Sequence, residues 1–314
     1  IAGTLVYAGR DERKPTIMVA PYGPVLPWGD LDLARRCLRL ILDKAEETAM
    51  QLNAVSLRIE PRIPHPVPSL LSEFGTGPVN LVPAETLYLD LTLSEEEILR
   101  QRKPKCRYNI SLSNRRGVQV REMFLHNGDR GELESSADEA QEKGAGSTCD
   151  ILYEMLEEAA GRDDFYLEPK NFFDTLLNEL ASSGQNNSEP NSSSMLKVFV
   201  AEHEGETLGA LVMIVEGKRA TYLYGGISNK KRNVMPGYAL QWHAIKEAMK
   251  LGCQTYDFYG FDQFKLASHS YARFSRFKSG FGGNPMRFIG AQDFVFMDRL
   301  VDNVIVFLKD AGIE

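Results

Sequence analysis

A pattern that occurs twice constrains this chain more than any single residue. A short β-rich run at residues 16–20 leads into a turn at Tyr22-Gly23-Pro24, then into a long stretch from about Asp30 to Leu52. There Leu33, Cys37, Leu40, Ile41, Ala45, Ala49 and Leu52 recur at spacings that predict an amphipathic helix with one buried stripe. The run Ala54-Val55-Ser56-Leu57-Arg58-Ile59 then reads as a strand closed by Glu60-Pro61. In the second half, residues 220–224 read as a strand and Gly225-Gly226 as its turn. A helix over about 236–251 follows, with Pro236 at its start and Gly252 just past its end. The next strand, Gln254-Thr255-Tyr256-Asp257-Phe258, also closes near an acid. Two copies of one strand–turn–helix–strand unit in 314 residues predict tandem, related α/β domains.

The second copy carries a preface. Residues 197–202 and 208–214 are two strands around His203-Glu204-Gly205-Glu206, a hairpin turn. With 220–224 they make an antiparallel meander that feeds a helix and a further strand. That order is similar to the core of the GCN5-related N-acetyltransferase (GNAT) fold. The expected fold class is therefore α/β (α+β): two tandem GNAT-like domains, each a mixed sheet flanked by helices. In the first copy Ala2–Ala8 alone can supply a meander strand, so the N-terminal part of that domain is expected to be missing ahead of Ile1. Gly144-Ala145-Gly146-Ser147 reads as a break, and 182–194, almost all Ser, Asn, Gly and Pro, as a solvent loop. The expected boundaries are 1–143 for the first domain, with a basic helix over 94–116, and 144–290 for the second. Residues 291–314 are expected to pack back on the first.

Composition narrows the chemistry. Hydrophobic content of 43% and charged content of 25% are ordinary for a globular chain, and no apolar run approaches transmembrane length. Cys37, Cys106, Cys149 and Cys253 are scattered without pairing, which predicts reduced thiols, and the five histidines lack ligand spacing. No metal and no cofactor are expected. A net charge of −7 on its face speaks against nucleic acid, DNA included, yet Arg100, Arg102, Lys103, Lys105, Arg107, Arg115 and Arg116 stand together without an acid among them. Ser94 and Glu95-Glu96-Glu97 just before them suit a helix N-terminus, with bases toward its other end. A helix dipole accounts for part of the run, and a phosphate-facing surface is the second reading.

Residues 256–282 concentrate the remaining signal. Asp257 ends an apolar run, where a charge is costly unless paired. Lys278 stands among Phe277, Phe281, Gly280, Gly282 and Gly283, a setting that can aim an ammonium into a pocket. The alternative is a strand-end acid bonded by backbone N–H groups and a lysine that snorkels.

The chain resembles the FemABX family of bacterial aminoacyl-tRNA-dependent peptidyltransferases over essentially its full length. The resemblance rests on Tyr22-Gly23-Pro24-Val25, Leu57-Arg58-Ile59-Glu60-Pro61, Thr86-Leu87-Tyr88-Leu89-Asp90-Leu91, and the basic segment from Lys103 to Arg107. Tyr222-Leu223-Tyr224-Gly225-Gly226, Tyr256-Asp257 and Phe277-Lys278-Ser279-Gly280-Phe281-Gly282 complete it. Each segment alone is common; their order and spacing are specific. The resemblance implies transfer of an amino acid from its tRNA ester to the stem-peptide amine of a muramyl-pentapeptide, UDP-linked or lipid-linked, to build peptidoglycan bridges. It implies a cytoplasmic bacterial enzyme, with association at the inner membrane face following from a lipid-linked substrate.

On that reading Lys278 and Asp257 are the catalytic candidates, Lys278 as oxyanion stabiliser or holder of the tRNA 3′ end. Glu60, Arg58, Tyr222, Tyr224, Tyr256 and Phe277 are candidates for binding the peptide, with 222 and 224 expected on one strand face. Lys103, Lys105, Arg107, Lys230 and Lys231 are the candidates for tRNA and phosphates. Two departures from the family pattern bear on a nucleotide-linked precursor. A lysine used for phosphates has no counterpart ahead of Ile1, and Phe165–Pro169 stands where an arginine is expected, with Arg162 nearby. The alternative is a GNAT-type acyl-CoA-dependent N-acyltransferase, although 227–237 has bases and only one glycine for a pyrophosphate loop. A catalytically silent binding module is the third reading.

Overall fold

The computed structural model describes residues 1–9, 16–123, 147–163, 165–183, 194–264, 272–297 and 301. The Gly144–Gly146 break, most of the Ser/Asn stretch and the polar segment 265–271 lie outside them. In chain order the first elements are β1 (Tyr7–Ala8), β2 (Thr16–Tyr22), α1 (Leu31–Leu52), β3 (Ala54–Pro61), β4 (Gly75–Thr76) and β5 (Glu85–Asp90). Then come α2 (Glu95–Gln101), α3 (Pro104–Arg115), β6 (Gln119–Met123), α4 (Thr148–Asp163), α5 (Lys170–Ser183) and β7 (Met195–His203). The remainder is β8 (Glu206–Glu216), β9 (Arg219–Ile227), α6 (Pro236–Lys250), β10 (Thr255–Asp257), α7 (Ala272–Lys278), β11 (Asn284–Arg287) and β12 (Gln292–Val295).

The chain divides into two compact units, 1–85 with 286–314, and 86–285. The first holds a five-stranded sheet in the order β1-β2-β3-β12-β4. β2 and β3 are parallel, joined by α1, and β12 inserts antiparallel to β3 with Phe294 opposite Leu57. Asp30 starts α1 by accepting from the Leu33 N–H at 3.0 Å. α1 buries Ala34, Leu38, Ala45 and Ala49 in the core that holds Met18, Leu57 and Ile59. The expected stripe was set slightly off: Leu33 and Leu40 are exposed, because the face toward the sheet is centred on 34, 38 and 45.

The second unit holds a seven-stranded mixed sheet, β11-β5-β10-β9-β8-β7-β6. Period-2 alternation assigns its two faces. Phe199, Ala201, Leu211 and Met213 share one core with Leu240 and Ile245 of α6, whereas Val198, Val200, Ala210 and Val212 share another with Leu152 and Leu156 of α4 and Phe173 of α5. Gly225-Gly226 is no turn. Both residues lie inside β9, and a Cβ on Gly226 would stand 2.1 Å from the Met155 carbonyl oxygen of α4. The glycine is the condition for that close approach.

Two further expectations are corrected. The basic segment 94–116 is two helices, because the residue before Pro104 is driven to extended geometry (Lys103 φ −60°, ψ 145°). α2 begins with a capping box between Ser94 and Glu97. Ile98 and Cys106 bury in the core shared with α6, so the segment belongs to the second unit and the division falls at residue 85 rather than 143.

Candidate active site

β10 ends at Asp257, which is fully buried. Its carboxylate accepts from the Thr86 hydroxyl and from the Tyr259 N–H at 2.8 Å. These bonds hold a turn in which Tyr259 takes a left-handed conformation, φ 54°, that a side-chain-bearing residue adopts only under constraint. The turn presents two carbonyl oxygens to Lys278, the last residue of α7, whose Nζ donates to Gly260 at 2.7 Å and Tyr259 at 3.0 Å. Lys278 is 7% exposed, and its Nζ lies 5.4 Å from the centre of the Tyr222 ring. Burial brings its pKa down to about 7, partly opposed by the Asp257 charge. The ammonium is thus close to releasing its proton at neutral pH, which an exposed lysine is not.

The rings around this turn divide into three roles. Burial pushes the Tyr222 hydroxyl up to about 12, so it stays a phenol. Tyr256 is fully buried, its hydroxyl accepting from Gln241 Nε2 at 2.8 Å. Phe277 packs edge-on against Tyr238 and Phe281, with centroids 5.0 and 5.3 Å apart. Tyr224 departs from expectation. Its ring meets Phe173 at 5.1 Å and packs with the core of α4 and α5, whereas Tyr222 packs on the α6 side. The cause is a β-bulge: Val212 faces Tyr224 while the next residue, Met213, faces Tyr222. One extra residue in β9 flips the alternation that would have kept the two tyrosines on one face.

In the first unit Glu60 and Arg58 are tied to neighbouring backbone and to each other's loop. The buried Glu60 carboxylate accepts from the N–H groups of Leu81 (2.8 and 3.0 Å) and Val82 (2.9 Å). Arg58 makes a two-pronged pair with Asp293 of β12, both bonds 2.7 Å, and a third bond to the Val79 carbonyl at 3.0 Å. Their geometry fixes the 77–82 loop and β12, so both side chains are already engaged by the protein itself. Beside Glu60, Arg62 lies over the rings of Tyr22 and Phe288.

The basic candidates separate by what already engages them. Arg107 Nη1 donates to the carbonyls of Arg100 (3.2 Å) and Arg102 (2.6 Å), closing the end of α2. Lys231 is paired with Glu204 at 2.8 Å and Glu206 at 3.3 Å, so it is a weak phosphate candidate. Lys105 and Lys230 are exposed, and Lys103 approaches the Ser279 hydroxyl at 3.4 Å. Arg162, noted from sequence, donates to the Ile227 carbonyl at 2.8 Å and pairs with Asp163. Glu158 accepts from Ser228 Oγ and the Asn229 N–H, placing a negative charge on the β9–α6 loop, where an acyl-CoA pyrophosphate would need donors. Thr86, Tyr259 and Gly260 were not singled out as site residues by sequence reasoning; Thr86 comes from β5, far from Asp257 in the chain.

Residues 179–297, a stretch that includes Asp257 and Lys278, match the model of the FemAB family. A lipid II:glycine glycyltransferase of Staphylococcus saprophyticus subsp. saprophyticus is 29% identical over 114 residues, 35% of this chain and 28% of that protein. The protein of the same name from Staphylococcus haemolyticus is 24% identical over 273 residues, 74% of this chain and 64% of the relative. The match therefore spans less than a third of the first of these relatives and less than two thirds of the second. Among solved structures, a crystal structure of FemX superposes with a TM-score of 0.74 at 16% identity, covering 96% of this chain and 87% of that one. A tandem GNAT protein from the clavulanic acid biosynthesis pathway gives 0.50 at 11% identity, over 88% and 74%. These two likenesses are of fold: two mixed sheets flanked by helices, in tandem.

Proposed function

We propose that this chain, whose residues 179–297 match the FemAB family, is a member of the FemABX family and an aminoacyltransferase extending the stem peptide of a peptidoglycan precursor. The observation that carries the reading is Lys278: a buried lysine with its pKa near 7, held by two backbone carbonyls in the segment that matches the family. The names of the staphylococcal relatives support a lipid-linked acceptor and glycine as the amino acid. The donor in this proposal is aminoacyl-tRNA.

In the reaction a neutral stem-peptide amine attacks the carbonyl carbon of the aminoacyl ester. The C–N bond forms, the C–O bond to the tRNA 3′ oxygen breaks, and the amine's proton leaves with that oxygen. Lys278 in its ammonium form donates to the oxyanion of the tetrahedral intermediate, in surroundings where water no longer screens the charge. Asp257 is a positioning residue: with no exposed surface it reaches no substrate, and it sets the Tyr259-Gly260 turn that aims Lys278. Tyr222 supplies a ring beside the ammonium. Lys103 and Lys105 are proposed to meet phosphates of the donor.

The test is transfer of labelled amino acids from a charged tRNA pool to UDP-linked and lipid-linked muramyl-pentapeptide, with wild type and Lys278→Met. Label on the peptide with wild type alone supports the proposal and names the amino acid. No transfer to either acceptor, with coenzyme A bound by the same preparation, overturns it in favour of an acyl-CoA-dependent transferase.

A further inference from the structure

A recess of about 490 Å³ opens between α3 and α6 in the second unit, and its lining includes none of the residues that contact Lys278. Its volume is that of a small-molecule site. The inner wall is apolar, formed by Leu99, Ile110, Val118 and Trp242. Arg107, Lys246, Ser111 and Asn114 add polar groups, and no aspartate or glutamate among the described residues lines it, in a chain whose net charge is −7. The Arg107 guanidinium is held in place by its bonds to the Arg100 and Arg102 carbonyls.

A second observation adds positive charge behind the wall. Arg102 is 1% exposed and stacks 3.7 Å from the centre of the Trp242 ring. Its Nε, Nη1 and Nη2 have no hydrogen-bond partner among the described residues. Its charge is offset only at longer range, by Glu95, so a buried guanidinium without a hydrogen-bonded acid favours an anion nearby.

We propose that this recess binds an anionic amphiphile of the phosphate-ester class. Lys246 and Arg107 hold the phosphate, with Ser111 as a further donor, and the aliphatic part lies on Leu99, Ile110, Val118 and Trp242. The phosphate comes either from a free amphiphile or from a lipid headgroup in a bilayer.

The chain has two tryptophans, so Trp28→Phe leaves Trp242 as the sole reporter. In that background the full chain is titrated with decyl phosphate, inorganic phosphate, decyl maltoside and phosphatidylglycerol vesicles. Decyl phosphate is expected to shift Trp242 emission saturably, while inorganic phosphate and decyl maltoside leave it unchanged. Lys246→Gln is expected to weaken the response about tenfold, the loss of one charged hydrogen bond. Ser111→Phe, on the exposed side of α3, is expected to abolish it by filling the recess. A matching shift with vesicles assigns the phosphate to a bilayer, and a shift with decyl phosphate alone assigns it to a free amphiphile. An equal response to decyl maltoside or to inorganic phosphate overturns the proposal, as does a titration unchanged in both variants. No transfer reaction is read, so this result is independent of the proposed activity.

Discussion

Lys278 and Asp257 act through one backbone turn, and that arrangement sets a pH signature. With the folded pKa near 7 and the unfolded value near 10.5, the unfolded chain binds more protons between those limits, so stability rises with pH there. Below about 7 both states are protonated and burial of the charge costs most; above about 10.5 neither is charged and that cost vanishes. Lys278→Met is therefore expected to gain on wild type in urea melts at pH 6, with the gap closing as pH rises toward 10. The same variant is expected to lose about 10²–10³ in kcat/KM, the usual cost of one oxyanion donor. Wild-type activity limited by the ammonium is expected to fall as pH passes upward through about 7. Arg58→Ala is expected to destabilise the first unit by about 3 kcal/mol, because Asp293 is left half-buried without its partner. Both strand-end acids were legible as residues that needed partners. Which partners was not: Thr86 is far from Asp257 in the chain, as Leu81 and Val82 are from Glu60, and only the fold brings them together.

At the scale of elements, local rules were legible wherever they act over a few residues. The Ser94–Glu97 capping box, the hairpin at Glu204-Gly205 and the helix opening at Pro236 follow from short-range chemistry. Features set by a neighbouring element were not legible. Two adjacent glycines signal a turn equally well as a place where a helix backbone presses on a strand, and Gly225-Gly226 is the second case. Gly226→Ala is expected to cost about 1–3 kcal/mol through overpacking against α4, measured as a fall in urea midpoint, whereas Gly217→Ala, with open space beside it, loses only by its positive φ. The bulge between Val212 and Met213 is likewise invisible in a hydrophobic pattern, and it alone sends Tyr222 and Tyr224 to opposite faces.

At the scale of the whole molecule, the duplication was legible from order and length, since each copy closes with a parallel strand pair around a helix: β2 and β3 around α1, β9 and β10 around α6. Residues 291–314 were expected against the first unit, but not as a strand inside its sheet, because β12 is four residues long and finds its place only beside β3. Deleting residues 286–314 is expected to unfold the first unit while the second persists. Single-tryptophan variants read this directly, Trp28 reporting on one core and Trp242 on the other. The insertion of β12 also orders events on the ribosome. At about 5–20 residues per second, the roughly 230 residues between β3 and β12 take on the order of 10–45 s to emerge. Through that interval β3 waits with one edge unpaired while all of residues 86–285 are delivered. The unit encoded first is thus the last that can finish its sheet, and the nascent chain spends that time with an open strand edge for a chaperone, or another chain, to find.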